Sequence, residues 1–164
     1  MTTVIDANVL VALFRADTED AEKVRIDGLL AETRGRRKRL IIPSPALSEF
    51  AAKAKQEEID FLLSQPVFQI AAFDAKAALE CGELLRAWAN GLDGSKKDRH
   101  KAKFDMQILA IAKAHGARLL VTGDANLRNK ATKQGIEAKE IKELPIPESA
   151  RQYKISFETL PSTE

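Results

Sequence analysis

Four times along this chain a short apolar run gives way abruptly to a segment of helical periodicity, and that recurrence constrains the fold more than any other feature. The runs are TTVID at residues 2–6, RLIIPS at 39–44, VFQIAAF at 67–73 and ARLLVTGD at 117–124, with IEAKEI at 136–141 as a weaker fifth. Short runs rich in Val, Ile and Leu, bounded by polar or proline stops, read as strands buried on both faces. Strands separated by helix-length segments pair in parallel, and helices must then cover the sheet. The expected class is α/β, with a central, mainly parallel sheet flanked by helices.

Local signals place the helices. ANVLVALFRA follows Asp6 directly, and EDAEKVRIDGLLAETR spaces Val24, Ile26, Leu29 and Leu30 helically before a stop at Gly35. Pro45 suits the first turn of PALSEFAAKA, with Ser44 as its expected cap. EEIDFLLSQ is a further short helix, and Asp74 is placed to cap the helix that ends near Gly91. LDGSKKDRHKAK, at 92–103, reads as a basic loop before a helix that stops at Gly116, and ANLRNKATKQG is the last helix. From Leu144 onward Pro145, Pro147 and Pro161 suggest an extended tail, with a possible strand at YKISFE. The expected division is one domain over 1–143 and a C-terminal extension over 144–164.

Bulk properties narrow the class. With 164 residues, 45% of them apolar and 30% charged, the chain suits one globular domain. One cysteine, Cys81, forms no internal disulfide, and His and Cys lack zinc-site spacing. Nothing resembles a signal peptide or a membrane span, so the expectation is a soluble cytoplasmic protein without a membrane partner. Cys81 and Trp88, seven apart on one helix, are expected in the core, and His115 at a helix C-terminus. The net charge of +2 is small, but RGRRKR at 34–39 and KKDRHKAK at 96–103 each hold five Lys or Arg. Either cluster can follow a phosphate backbone, or can be a solvated helix end. Arg36, Arg37, Lys101 and Lys103 are the candidate contacts to such a backbone.

Four carboxylates share a positional logic. Asp6 and Asp124 end strands, Glu49 lies in the first turns after the second strand, and Asp105 opens the helix before the fourth. In parallel strands these positions gather at the carboxyl edge of the sheet, where open α/β sheets place ligands. Gathered carboxylates repel unless a cation neutralises them, and an all-oxygen set suits Mg²⁺ or Mn²⁺. Such an ion activates water and stabilises a phosphoryl group, and two ions about 4 Å apart serve both attacking and leaving oxygens. Asn8 and Thr122, each two positions from a strand-end aspartate, are placed to orient those ligands. Each acid also has a plainer reading: helix caps for Asp6 and Asp124, a solvent-facing residue for Glu49, a first-turn charge for Asp105.

Taken in order, VIDANVL, PSPALSEF and KFDMQILAIAKAHGARLLVTGDANL resemble the PIN-domain nucleases, and among them the VapC-like toxins of toxin-antitoxin pairs. The resemblance spans roughly residues 2–140. It implies a Rossmann-like three-layer sandwich and an Mg²⁺- or Mn²⁺-dependent endoribonuclease with Asp6, Glu49, Asp105 and Asp124 as metal-binding and catalytic acids. Asn8 and Thr122 match the small polar positions of the first and last motifs. An RNA substrate, a cognate antitoxin that inserts a cationic side chain into the acidic pocket, and a homodimer are the partners it implies.

Three other functions stay open on the sequence. A PIN-type RNA-processing nuclease carries the same four acids, and a non-catalytic RNA-binding module of the same fold would hold RNA through its basic segments. A phosphatase resembling the haloacid dehalogenases also starts from a strand-end aspartate, but here Asn8 stands where that chemistry needs an acid.

Overall fold

A computed structural model of the chain describes residues 1–35, 38–89 and 96–150. Five strands, β1 (Thr2–Ile5), β2 (Arg39–Pro43), β3 (Phe68–Ala71), β4 (Leu119–Val121) and β5 (Glu137–Lys139), form one sheet in the order β3-β2-β1-β4-β5. All four ladders are parallel. The chain builds outward from β1 to β2 and β3, then returns to add β4 and β5 on β1's other side. The order reverses between β1 and β4, and the crevice of an open sheet lies at that reversal.

Every residue of β1 and β4 is buried, so both faces of the sheet are covered at its centre. The edges differ: Gln69 and Ile70 of β3 and Glu137 of β5 are exposed. Between strands run α1 (Ala7–Phe14), α2 (Asp20–Gly35), α3 (Ser44–Ala51), α4 (Gln56–Ser64), α5 (Ala75–Ala89), α6 (Lys96–Ala114) and α7 (Ala125–Lys133). Five consecutive residues of α6, Ile108 to Ala112, are buried, which is the pattern of a helix packed on several sides. With Leu10, Leu40, Ile41, Ile42, Leu62, Leu120 and Leu127 they form the centre of the core. Cys81 is buried there, and Trp88 is half-buried against this core. Gly116 ends the chain's run of helix at φ +62°, a left-handed conformation that costs glycine little.

Three local expectations change. The segment read as a basic loop is helical from Lys96; Lys, Arg and Ala are good helix formers, and Ala102, Asp105, Met106 and Leu109 lie along one buried side. Asp105 is accordingly mid-helix, not at a helix start. Ser44 is the first residue of α3 and does not cap it; its Oγ accepts the backbone N–H of Phe73 at 3.1 Å, tying the exit of β3 to α3. Asp74 does cap α5, accepting the N–H of Ala77 at 2.9 Å.

The segment after β5 packs back on the domain. A 3₁₀ turn, Ile141–Glu143, buries Ile141, and Leu144 beyond it is buried as well. The Arg25 guanidinium of α2 donates to the Leu144 carbonyl, and the Pro147 ring lies so close to Gly28 that a Cβ there would meet it at 3.1 Å. The possible strand at YKISFE and the side chains of Arg36 and Arg37 lie outside the described residues.

Candidate functional site

Asp6 follows β1 and begins α1, so its side chain faces two ways. One oxygen accepts the N–H of Ala7 at 2.7 Å, and the other accepts the Thr122 hydroxyl at 2.8 Å and the Asn8 amide at 3.2 Å. Thr122 stands just past β4, and its Oγ also accepts the backbone N–H of Asp124 at 3.0 Å. Asn8 completes the cross-link, donating to Thr122 Oγ at 3.2 Å and accepting the N–H of Gly123 at 3.0 Å. One network of neutral donors thus joins the ends of the two strands at the topological reversal.

Asp124 caps α7, its Oδ1 accepting the N–H groups of Asn126 at 2.8 Å and Leu127 at 3.1 Å. Its Oδ2 meets the Lys101 ammonium at 2.7 Å. Asp105, on α6, is buried and takes the Lys130 ammonium on Oδ2 at 2.6 Å. Glu49 is exposed, in the second turn of α3. All four acids, with Asn8, Lys101 and Phe104, line one open cleft of about 1020 Å³. Asp17, Glu19 and Glu22 line it too, as do Arg15, which pairs with Asp17 at 2.7 Å, and Lys53.

The electrostatics separate the acids. Asp6 is 6% exposed, and burial raises its pKa above the ordinary value; the Thr122 and Ala7 hydrogen bonds work against this, while Glu49 and Asp105 add to it. Burial also raises Asp105, against the opposing Lys130 ammonium. For Asp124 burial is outweighed by the Lys101 bond and the two backbone N–H groups, and its pKa is lowered. Asp6 therefore differs in kind from the other two aspartates. Among the described residues it is a buried carboxylate with hydrogen-bond donors but no cationic partner.

That donor set tests the fit of a divalent cation. The oxygens come from four carboxylates, the ligand type that hard Mg²⁺ and Mn²⁺ prefer, and a buried carboxylate without a counter-charge gains most from one. Among the described residues no three carboxylates, histidines or cysteines already converge on a point close enough to hold an ion. Two ammonium groups occupy Asp105 and Asp124 instead. The chemistry fits a divalent cation, which at Asp124 would compete with the Lys101 ammonium.

Of the basic candidates, Lys101 lines the cleft, whereas Lys103 is exposed and does not. Two cations were missed from sequence. Lys130 neutralises Asp105 from 25 residues away, and Arg128 donates to the Thr122 carbonyl at 2.9 Å while pairing with Glu140 at 2.6 Å. Both lie on α7 in a segment whose charges read as ordinary surface; only the packing of α7 beside α6 and β5 reveals their partners.

Comparison with known proteins agrees with this architecture. Residues 3–133 match the family model described as PIN domain. Among solved structures, VapBC2 from Rickettsia felis bound to a DNA fragment from their promoter has a chain of 21% identity and TM-score 0.60, with 85% of this chain and 98% of that one covered. DNA-bound VapBC from Salmonella typhimurium gives 18% identity and TM-score 0.58, with coverages of 86% and 98%. No curated protein matches the sequence.

Proposed function

Since the chain belongs to the PIN domain family, we propose that it is a divalent-metal-dependent endoribonuclease and the toxin of a toxin-antitoxin pair. The observation that carries the reading is Asp6: a buried carboxylate at the reversal of the sheet, held by Thr122 and Asn8 and facing the same cleft as Glu49, Asp105 and Asp124. Asp6, Asp105, Asp124 and Glu49 would hold Mg²⁺ or Mn²⁺. Bound there, the ion supplies the Lewis acidity and the activated water that phosphodiester hydrolysis needs.

The chain's own residues do the positioning. Thr122 and Asn8 fix the Asp6 carboxylate by hydrogen bonds to one oxygen, and Asn8 holds the β4 end through the Gly123 N–H. Exposed Glu49 has no hydrogen-bond or ion-pair partner among the described residues and would orient a water in the cleft. The N-termini of α1 and α7 both open at the site, and their partial positive charge favours a phosphate there. Asn8 in place of an acid, bonded on both amide atoms, argues against the phosphatase alternative.

The VapBC neighbours support a small antitoxin as partner, and the acidic cleft is complementary to a cationic side chain from it. A homodimer is the proposed oligomer, checked by sedimentation. The deciding experiment is cleavage of a mixed RNA pool with Mg²⁺, with Mn²⁺ and with EDTA, beside Asp6→Asn. Metal-dependent cutting lost in the variant is expected; cutting by Asp6→Asn, or cutting undiminished in EDTA, refutes the assignment.

A further inference from the structure

Lys101 occupies an unusual position in this cleft. It is one turn before Asp105 on α6 and reaches across to Asp124 at the start of α7. Both oxygens of Asp124 are engaged: Oδ1 by two backbone N–H groups of the cap, Oδ2 by the Lys101 ammonium. An ion that takes Asp124 competes with these partners: Oδ1 already serves two N–H groups, and at Oδ2 the ion meets the Lys101 charge. Releasing the cap unfastens a helix end, whereas Lys101 is 62% exposed on a flexible stem and loses little by leaving. Lys130 contrasts with it, being 21% exposed and bound to one oxygen of a buried carboxylate whose other oxygen has no partner among the described residues.

We propose that Lys101 is a tethered counter-ion that exchanges partners: it neutralises Asp124 while the metal is absent, and when a divalent cation takes that carboxylate it carries its charge to a phosphate of the nucleic-acid backbone. This deepens the metal-dependent nuclease reading and rests on it. Lys101 is then a positioning residue with two mutually exclusive partners. Without the metal Lys101 offsets one of the cleft's negative charges, and the phosphate contact becomes available only when the ion is present to use it.

Two measurements on the full chain test this. The first is the Mn²⁺ affinity by calorimetry for the wild type, Lys101→Met, Lys53→Met and Asp6→Asn. An exposed ion pair of this kind predicts Mn²⁺ binding about two- to fivefold tighter in Lys101→Met. Lys53 lines the same cleft and pairs with none of the four acids among the described residues, so Lys53→Met removes the same charge and is expected to change affinity less. Unchanged affinity in Lys101→Met, or an equal gain in Lys53→Met, overturns the exchange while leaving the metal site intact. No Mn²⁺ binding by the wild type, or full binding by Asp6→Asn, overturns the metal reading itself and the exchange with it.

The second is the salt dependence of binding to a fluorescent oligodeoxythymidylate, a probe of backbone contact, in Mn²⁺ and in EDTA. Losing one phosphate contact to a single strand lowers the log–log salt slope by about 0.7. That loss is expected for Lys101→Met in Mn²⁺ and not in EDTA, and Lys101→Arg should restore it. The same loss in both conditions, or in neither, overturns the exchange.

Discussion

Lys130 offers the clearest test of how charge is balanced in the metal-free cleft. Its ammonium is the cationic partner of Asp105, whose side chain is 9% exposed, and Lys130→Met removes that charge while keeping most of the stem. Breaking a fully buried pair by deleting one partner costs about 3–5 kcal/mol, and an exposed pair is worth about 0.2–1 kcal/mol. Lys130 keeps some access to water, so we expect a loss of about 2 kcal/mol, or about 4–8 °C in Tm for a chain of this size. The sign of its pH dependence also follows. Burial already holds the Asp105 pKa above 3.8 despite Lys130, and without the ammonium it rises further. A raised carboxyl pKa destabilises the fold above that pKa and does so less as the proton returns. The deficit should therefore be greatest at neutral pH and shrink as pH falls through the folded pKa of Asp105 towards 3.8. Thermal melts in EDTA across this window, with Lys130→Met/Asp105→Asn as the paired variant, measure it. A Tm unchanged at neutral pH, or a deficit independent of pH, refutes the reasoning.

Other expectations follow from the same geometry. Asp124→Ala removes a cap with two N–H bonds and should cost about 1 kcal/mol, whereas Asp124→Asn keeps the cap, so Asn should recover stability without recovering RNA cleavage; melts and a cleavage assay separate the two roles. In EDTA, raised Asp6 gives a term that is stabilising below 3.8 and lost as pH rises through its folded pKa, so the stability difference between wild type and Asp6→Asn should narrow on acidification in urea titrations. Leu144→Ala should cost about 2–4 kcal/mol if the turn after β5 is part of the core, read from the urea midpoint.

How far the sequence could be read depended on how local each signal was. The strands at 2–6, 39–44 and 117–124 were visible because their residues are buried on both faces and leave an unbroken apolar run. Asp74 and Gly116 behave as their neighbours require, since a cap and a left-handed stop are decided within a few residues. The start of α6 was misread because a basic, polar segment suggests a loop, although Lys, Arg and Ala also favour helix. Ser44 was misread because its hydroxyl serves Phe73, 29 positions away. At the candidate site, Asp6 and Asp124 stand out as strand-end acids, and each both caps a helix and lines the cleft. Lys101 was singled out as a phosphate contact, but its bond to Asp124 was not foreseen. Lys130 gave no sign, since an ion pair across 25 residues depends on how two helices meet.

The bond from Asn8 to Thr122 joins residues 114 positions apart. During synthesis β1 emerges early but has no β4 to pair with until about 114 residues later. At about 5–20 residues per second, the gap amounts to some seconds or more. Throughout it Asp6 lacks the Thr122 hydroxyl and Asp124 has yet to appear. A nascent chain therefore lacks an assembled cleft until β4 has been made, and only from that point can the four acids meet in one place.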